Sequence, residues 1–63
     1  MTHPIELGDL LTVDEASALL KVPKSWLYER TRTGAIPVRK LGRHLRFSAR
    51  ELAGWVEAQR VIP

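Results

Sequence analysis

Sixty-three residues with a net charge of +3 and no cysteine make at most one small domain, which buries only about 60% of the surface its unfolded chain exposes. The missing cysteines exclude a disulfide framework and a thiolate metal site, so a cytosolic setting is the economical expectation and stability must come from packing or a partner. No apolar run approaches the roughly 20 residues that span a bilayer, and Met1 to Leu10 lacks the basic-then-apolar pattern of an export signal, so the chain reads as soluble and unprocessed.

The charge is unevenly placed. Residues 1–20 hold four acids and no Lys or Arg, and residues 47–63 are balanced. Between them, residues 21–46 hold eight bases (Lys21, Lys24, Arg30, Arg32, Arg39, Lys40, Arg43 and Arg46) against Glu29 alone. One continuous segment therefore owns the positive field, as expected of a chain that meets a polyanion.

In chain order, residues 1–9 carry Pro4 and Gly8 without periodicity and read as a flexible lead, tied down near Leu7 or Leu10. His3 within it reads as a bystander. "TVDE" at Thr12–Glu15 is a capping box, and Asp14 and Glu15 suit the positive end of a helix dipole. Val13, Ala16, Leu19 and Leu20 follow at helical spacing, which predicts a first helix over 13–20. Pro23 disfavours helical geometry at Val22 yet suits the first turn of a new helix, predicted over 24–33 and stopped by Gly34. Two helices joined by so short a turn have the spacing of a helix-turn-helix.

On a helical wheel Leu27 and Thr31 share the side that faces the first helix, while Lys24, Ser25, Tyr28, Glu29 and Arg32 gather opposite. Taken alone, that polar side is an ordinary solvated face. Trp26 falls off both faces and is expected to cover an edge.

Next comes "VRKLGRHLRF", Val38–Phe47, where Gly42-Arg43 fits a two-residue type II′ turn. Pairing outward sets Leu41 opposite His44, Lys40 opposite Leu45, Arg39 opposite Arg46 and Val38 opposite Phe47; a four-residue loop at 41–44 would keep the outer pairs. Val38, Lys40, Leu45 and Phe47 then share one face, and Arg39, Leu41, His44 and Arg46 the other. Directly opposed Arg39 and Arg46 repel, which a small domain tolerates best where something negative neutralises them. Basic residues that guard a strand edge are the plainer alternative.

"SARE" at Ser48–Glu51 is a second capping box, with Leu52, Trp55 and Val56 as the apolar stripe of a helix over 49–59 and a tail over 60–63. Trp55 reads as a core anchor. Gly54 inside that helix costs about 1 kcal/mol relative to Ala.

Signs of chemistry are missing: nothing orients His44 as a base, Asp14 and Glu15 are accounted for by capping, and no phosphate loop or metal-ligand spacing occurs. Neither an enzyme, a cofactor, a metal nor a small-molecule substrate is expected.

The order "LLT.DEA", "G.IP", "LGR..RF" and a closing "EL..W", over Leu10–Val56, resembles the excisionase-like branch of the MerR-type winged helix-turn-helix DNA-binding proteins. The resemblance implies a mostly α domain over 10–59 with a β-hairpin wing. It implies Ser25, Glu29 and Arg32 as groove-facing on a recognition helix, with Lys24 and Tyr28 at the phosphate margin. In the wing it implies Arg43 at the minor groove, with Arg39, His44 and Arg46 on nearby backbone and Lys40 among the wing's DNA-binding residues. Many members cap the second helix with Ser or Thr where this chain has Pro23, which leaves its first amides for a DNA phosphate. Glu29 is an acid on a basic surface: it either accepts from a cytosine amino group or pairs with Arg32 or another base, the latter preferred.

The implied partners are double-stranded DNA, further copies of the chain on repeated sites, and a tyrosine integrase steered toward excision of a bacterial or phage mobile element. The short chain, without an effector domain, fits that role and also a minimal transcription regulator. A rival of another class is a protein-interaction module whose basic face holds an acidic partner.

Overall fold

A computed structural model describes residues 6–61. His3, with the rest of residues 1–5, and the last two residues of the tail lie outside the described residues.

The chain enters through a single 3₁₀ turn, Leu7–Asp9, and a two-residue strand β1, Leu10–Leu11. Helix α1, Val13–Leu20, starts on the expected capping box: the Glu15 amide donates to Thr12 Oγ1 at 3.1 Å and the Thr12 amide donates to Glu15 Oε1 at 2.9 Å. It ends at Lys21, a non-glycine residue in the left-handed region (φ 59°). Ser17 supports that turn, accepting from the Val22 amide through its carbonyl and donating from Oγ to the Val22 carbonyl at 2.6 Å. Helix α2, Lys24–Thr33, follows Pro23 and closes in a Schellman arrangement: Gly34 takes φ 72° and the Ala35 amide donates to the Arg30 carbonyl at 2.9 Å.

Strands β2, Arg39–Leu41, and β3, His44–Ser48, form the hairpin. The pairs Leu41 with His44, Lys40 with Leu45 and Arg39 with Arg46 are those expected. Gly42 at the first turn position has φ 63°, and Arg43 does not share that positive φ, as a type II′ turn demands. The ladder stops there, so Val38 does not continue it opposite Phe47. Phe47 instead pairs with Leu11 and Ser48 with Leu10, which makes β3 the centre of a three-stranded antiparallel sheet in the order β1-β3-β2. The wing is thus rooted in the chain's N-terminal segment. Helix α3, Ala49–Ala58, closes the domain one residue short of its expected end.

The core is small: Ala16, Leu27, Ile36, Phe47 and Leu52, with Leu11, Val13, Leu20, Val22, Trp26, Val38 and Trp55 packed around it. Two residues expected on apolar stripes turn outward, Leu19 at 55% and Val56 at 46% exposure, since each lies at the edge of a narrow buried arc. Ile36, in the loop after α2, plugs the core at 3% exposure. The same loop is held from outside by the Trp55 indole, which donates to the Ala35 carbonyl at 3.0 Å. Trp26 meets Trp55 edge to face at 6.3 Å, and the Arg30 guanidinium lies 4.3 Å over the Trp26 ring. The edge expected of Trp26 is this aromatic and cationic seam.

The start of α3 departs from expectation. Ser48 Oγ accepts from the Glu51 amide at 3.2 Å, but the Glu51 carboxylate does not return to complete the box. It takes the Arg39 guanidinium instead, through contacts of 2.5 and 2.7 Å, because a two-pronged charge-assisted pair outcompetes one neutral amide. Asp9 adds a different support to the same helix start. Its Oδ2 accepts from Ser48 Oγ at 2.5 Å and from the Arg50 amide at 3.1 Å, joining the entry segment to α3 across 39 residues of sequence.

Phe47→Ala is expected to lose about 3–5 kcal/mol, comparable to everything a core this small supplies; a circular-dichroism melt should show no cooperative transition. At Gly54 a Cβ meets nothing within 4 Å. Gly54→Ala should therefore stabilise by about 1 kcal/mol, raising the melting midpoint by about 4–8 °C.

Candidate nucleic-acid interface

Helix α2 presents its exposed face because Leu27, turned inward and fully buried, fixes its rotation. Tyr28, half-exposed, stands at the middle of that face. Glu29 Oε1 accepts from Arg32 Nη2 at 2.6 Å, the pairing preferred of its two readings. Lys24 Nζ lies 2.9 Å from Asp14 Oδ1, which ties the start of α2 to α1 and raises the Lys24 pKa, chiefly through that hydrogen bond. Ser25 is exposed beside it. Pro23 offers no side chain to cap α2; the first amides to find backbone partners are those of Trp26 and Leu27, which donate to the Pro23 carbonyl at 3.1 and 3.3 Å.

The hairpin stands beside this face. Between them runs a cleft of about 520 Å³, bordered on the helix side by Tyr28, Glu29, Thr31 and Arg32 and on the hairpin side by Lys40, Arg43 and Leu45. A second cleft of about 290 Å³ shares Tyr28, Arg43 and Leu45, and runs on to His44 and Arg46 opposite Thr12, Val13 and Asp14 at the start of α1. Tyr28, Arg43 and Leu45 thus border both open grooves. The structure brings Tyr28, Glu29, Arg32, Lys40, Arg43, His44 and Arg46 onto one continuous surface, with Lys24 reaching it through Asp14. Ser25 borders neither cleft.

Arg39 is the exception and borders neither cleft. Its repulsion from Arg46 is relieved from within, by Glu51 on α3, and both partners are only about a third exposed (37% and 34%). The hydrogen bond to Glu51 holds the Arg39 pKa above its ordinary value, and Arg39 in turn lowers that of Glu51. Arg46 donates from Nη1 to the Leu45 carbonyl at 2.7 Å. Among the described residues, Lys21, Arg30, Lys40, Arg43, Arg46 and Arg50 form no salt bridge with a carboxylate, and of these Lys40, Arg43 and Arg46 belong to the hairpin beside the cleft.

Sequence reasoning did not find Asp14 as a surface group facing α2, nor Glu51 as the partner of Arg39. Asp14 had a complete explanation in helix capping, and Glu51 sat in an apparent capping box. The signal available for Glu51 was the unfavourable Arg39–Arg46 opposition, which called for an anion.

Helix, three-residue turn, exposed second helix and adjoining β-hairpin define a winged helix-turn-helix domain. The helix-turn-helix domain family model matches residues 10–60, and the chain belongs to that family of DNA-binding domains. No curated protein and no solved structure matches it. Among the described residues no helix is long and apolar enough to cross a membrane, and no cluster of His, Asp or Glu could hold a metal ion.

Two carboxylates set the acid response. Asp9 has its pKa lowered by the Ser48 hydroxyl and then by the Arg50 amide, and Glu51 by the Arg39 guanidinium. A carboxylate with a lowered folded-state pKa adds stability that is complete above its unfolded value, about pH 4, and lost as pH falls through the folded value. Urea midpoints should hold from pH 7 to about 5 and drop below 4, and the Asp9→Asn, Glu51→Gln double variant should show a shallower drop.

Proposed function

We propose that the chain binds duplex DNA with α2 in the major groove and the hairpin at the adjacent minor groove. The observation that carries this reading is the cleft between them. Two adjacent grooves of a duplex are separated by one sugar-phosphate strand, and the cleft offers such a strand the unpaired Lys40 and Arg43 cations of its hairpin wall. The apolar Leu45 and the Tyr28 ring lie alongside for the sugars. Arg43, at the turn, is the side chain that reaches the minor groove, and His44 and Arg46 continue the contact toward the next phosphates. Arg39 supports the wing rather than DNA. Ser25, Arg32 and Glu29 face the bases, and Lys24 lies at the phosphate margin. Phosphate contacts supply a salt-dependent share of affinity, and α2 supplies selectivity.

A single module of this kind buries about 600–1,000 Å², so occupancy rests on several copies on repeated sites. The sequence words shared with the excisionase-like branch favour an accessory factor that binds such sites side by side, bends the DNA and directs a tyrosine integrase to excision, in the cytoplasm on a bacterial nucleoid. The second reading is a minimal transcriptional regulator of the same fold.

Binding to a duplex of about 20 bp should weaken steeply between about 50 and about 200 mM salt. Arg43→Ala should weaken it further and reduce the log-log salt slope by about 1. Binding that ignores salt and Arg43→Ala would instead favour the module that holds an acidic protein. Excision in vitro with a cognate integrase, dependent on added protein, separates the excisionase from the regulator.

A further inference from the structure

The surface that the proposed function turns toward DNA is not uniformly positive. On its helix side every charge sits beside its opposite: Lys24 with Asp14 at 2.9 Å and Arg32 with Glu29 at 2.6 Å, a face with no net charge. Its uncompensated cations are on the hairpin. All four paired groups are well exposed, from 56% to 76%. Exposed pairs of this kind contribute little to stability, and neither carboxylate is needed to satisfy a buried group. Asp14 is more than a helix-start acid, since Glu15 already completes the cap.

Consider what a phosphate-only encounter meets. The wing cations attract any duplex. For α2 to settle, however, Asp14 and Glu29 must come close to a polyanion while Lys24 and Arg32 are already occupied. Each carboxylate then opposes the approach, and each pair must open before its base can neutralise a phosphate. A duplex whose base edges give Arg32 an acceptor, or Glu29 an amino donor, returns what opening the pair removes. A non-matching duplex returns nothing.

We propose that Asp14 and Glu29 are discriminating residues: their carboxylates, by holding Lys24 and Arg32, suppress sequence-independent DNA binding by the recognition helix and leave it to matched sites. The inference rests on the DNA-binding reading above and adds to it where selectivity resides. Non-specific attraction belongs to the hairpin, and the helix face is silent until base edges replace its internal partners.

The test uses the full chain and two duplexes, one of random sequence and one selected by the wild-type protein from a random pool. Glu29→Gln and Asp14→Asn should each tighten binding to the random duplex by about fivefold at low salt and steepen its salt slope by about 1. The selected duplex should gain less, so the ratio of the two affinities falls. Both replacements are isosteric at exposed positions, and they lie on different helices, so each tests the inference without the other; melting curves verify folding. A ratio that stays constant or rises in both variants, including one in which both affinities shift together, overturns the inference while leaving DNA binding intact. Wild-type protein that binds neither duplex overturns the DNA reading, and this inference with it.

Discussion

The structure depends on the burial of Phe47 at the point where β3 changes partners. Toward its start β3 pairs with β2 to make the projecting wing, and at its end it pairs with β1 and then caps α3 through Ser48. Phe47 is fully buried with Ala16 of α1, Leu27 of α2, Leu52 of α3 and Ile36 of the intervening loop. One side chain thus shares a cluster with every helix. A two-stranded ribbon is marginal in water on its own. Here the third strand and the anchored ring root it in the core, so the angle between wing and α2 is set by the core.

Much of this architecture was legible because local chemistry and global fold agree. The Thr12–Glu15 box, the Pro23 entry and the Gly34 exit each mark a helix end through a single backbone demand, and Gly42 marks the hairpin turn in the same way. What stayed hidden depends on partners far apart in sequence. β1 is two residues long, too short for any periodicity, and exists only because β3 arrives beside it. Ile36 looks like an ordinary loop residue until the core is assembled around it. The Ser48–Glu51 words match a capping box, yet Glu51 serves Arg39 and Asp9 serves Ser48, an exchange that only three-dimensional proximity decides.

The interface was legible in outline for the same reason. Counting charge along the chain isolated residues 21–46, and the hairpin register was correct over its three pairs. Position in a register does not reveal who neutralises whom. Three ion pairs among the described residues take Lys24, Arg32 and Arg39 out of the free positive field of the basic segment, two of them with acids that lie outside it, Asp14 and Glu51. The acid-rich beginning and the balanced end of the sequence are therefore the counterweights of its basic middle.

The two-residue turn at Gly42-Arg43 has a geometric corollary. With three paired positions beyond its root, the ribbon extends about 10 Å at about 3.4 Å per residue. Adding one residue to each strand would advance the tip by a single step and rotate its side chains to the opposite face; two per strand, about 7 Å, are required to recover the original facing. The wing therefore comes in discrete sizes, and its reach is a whole-number quantity that substitutions can decorate but cannot gradually lengthen.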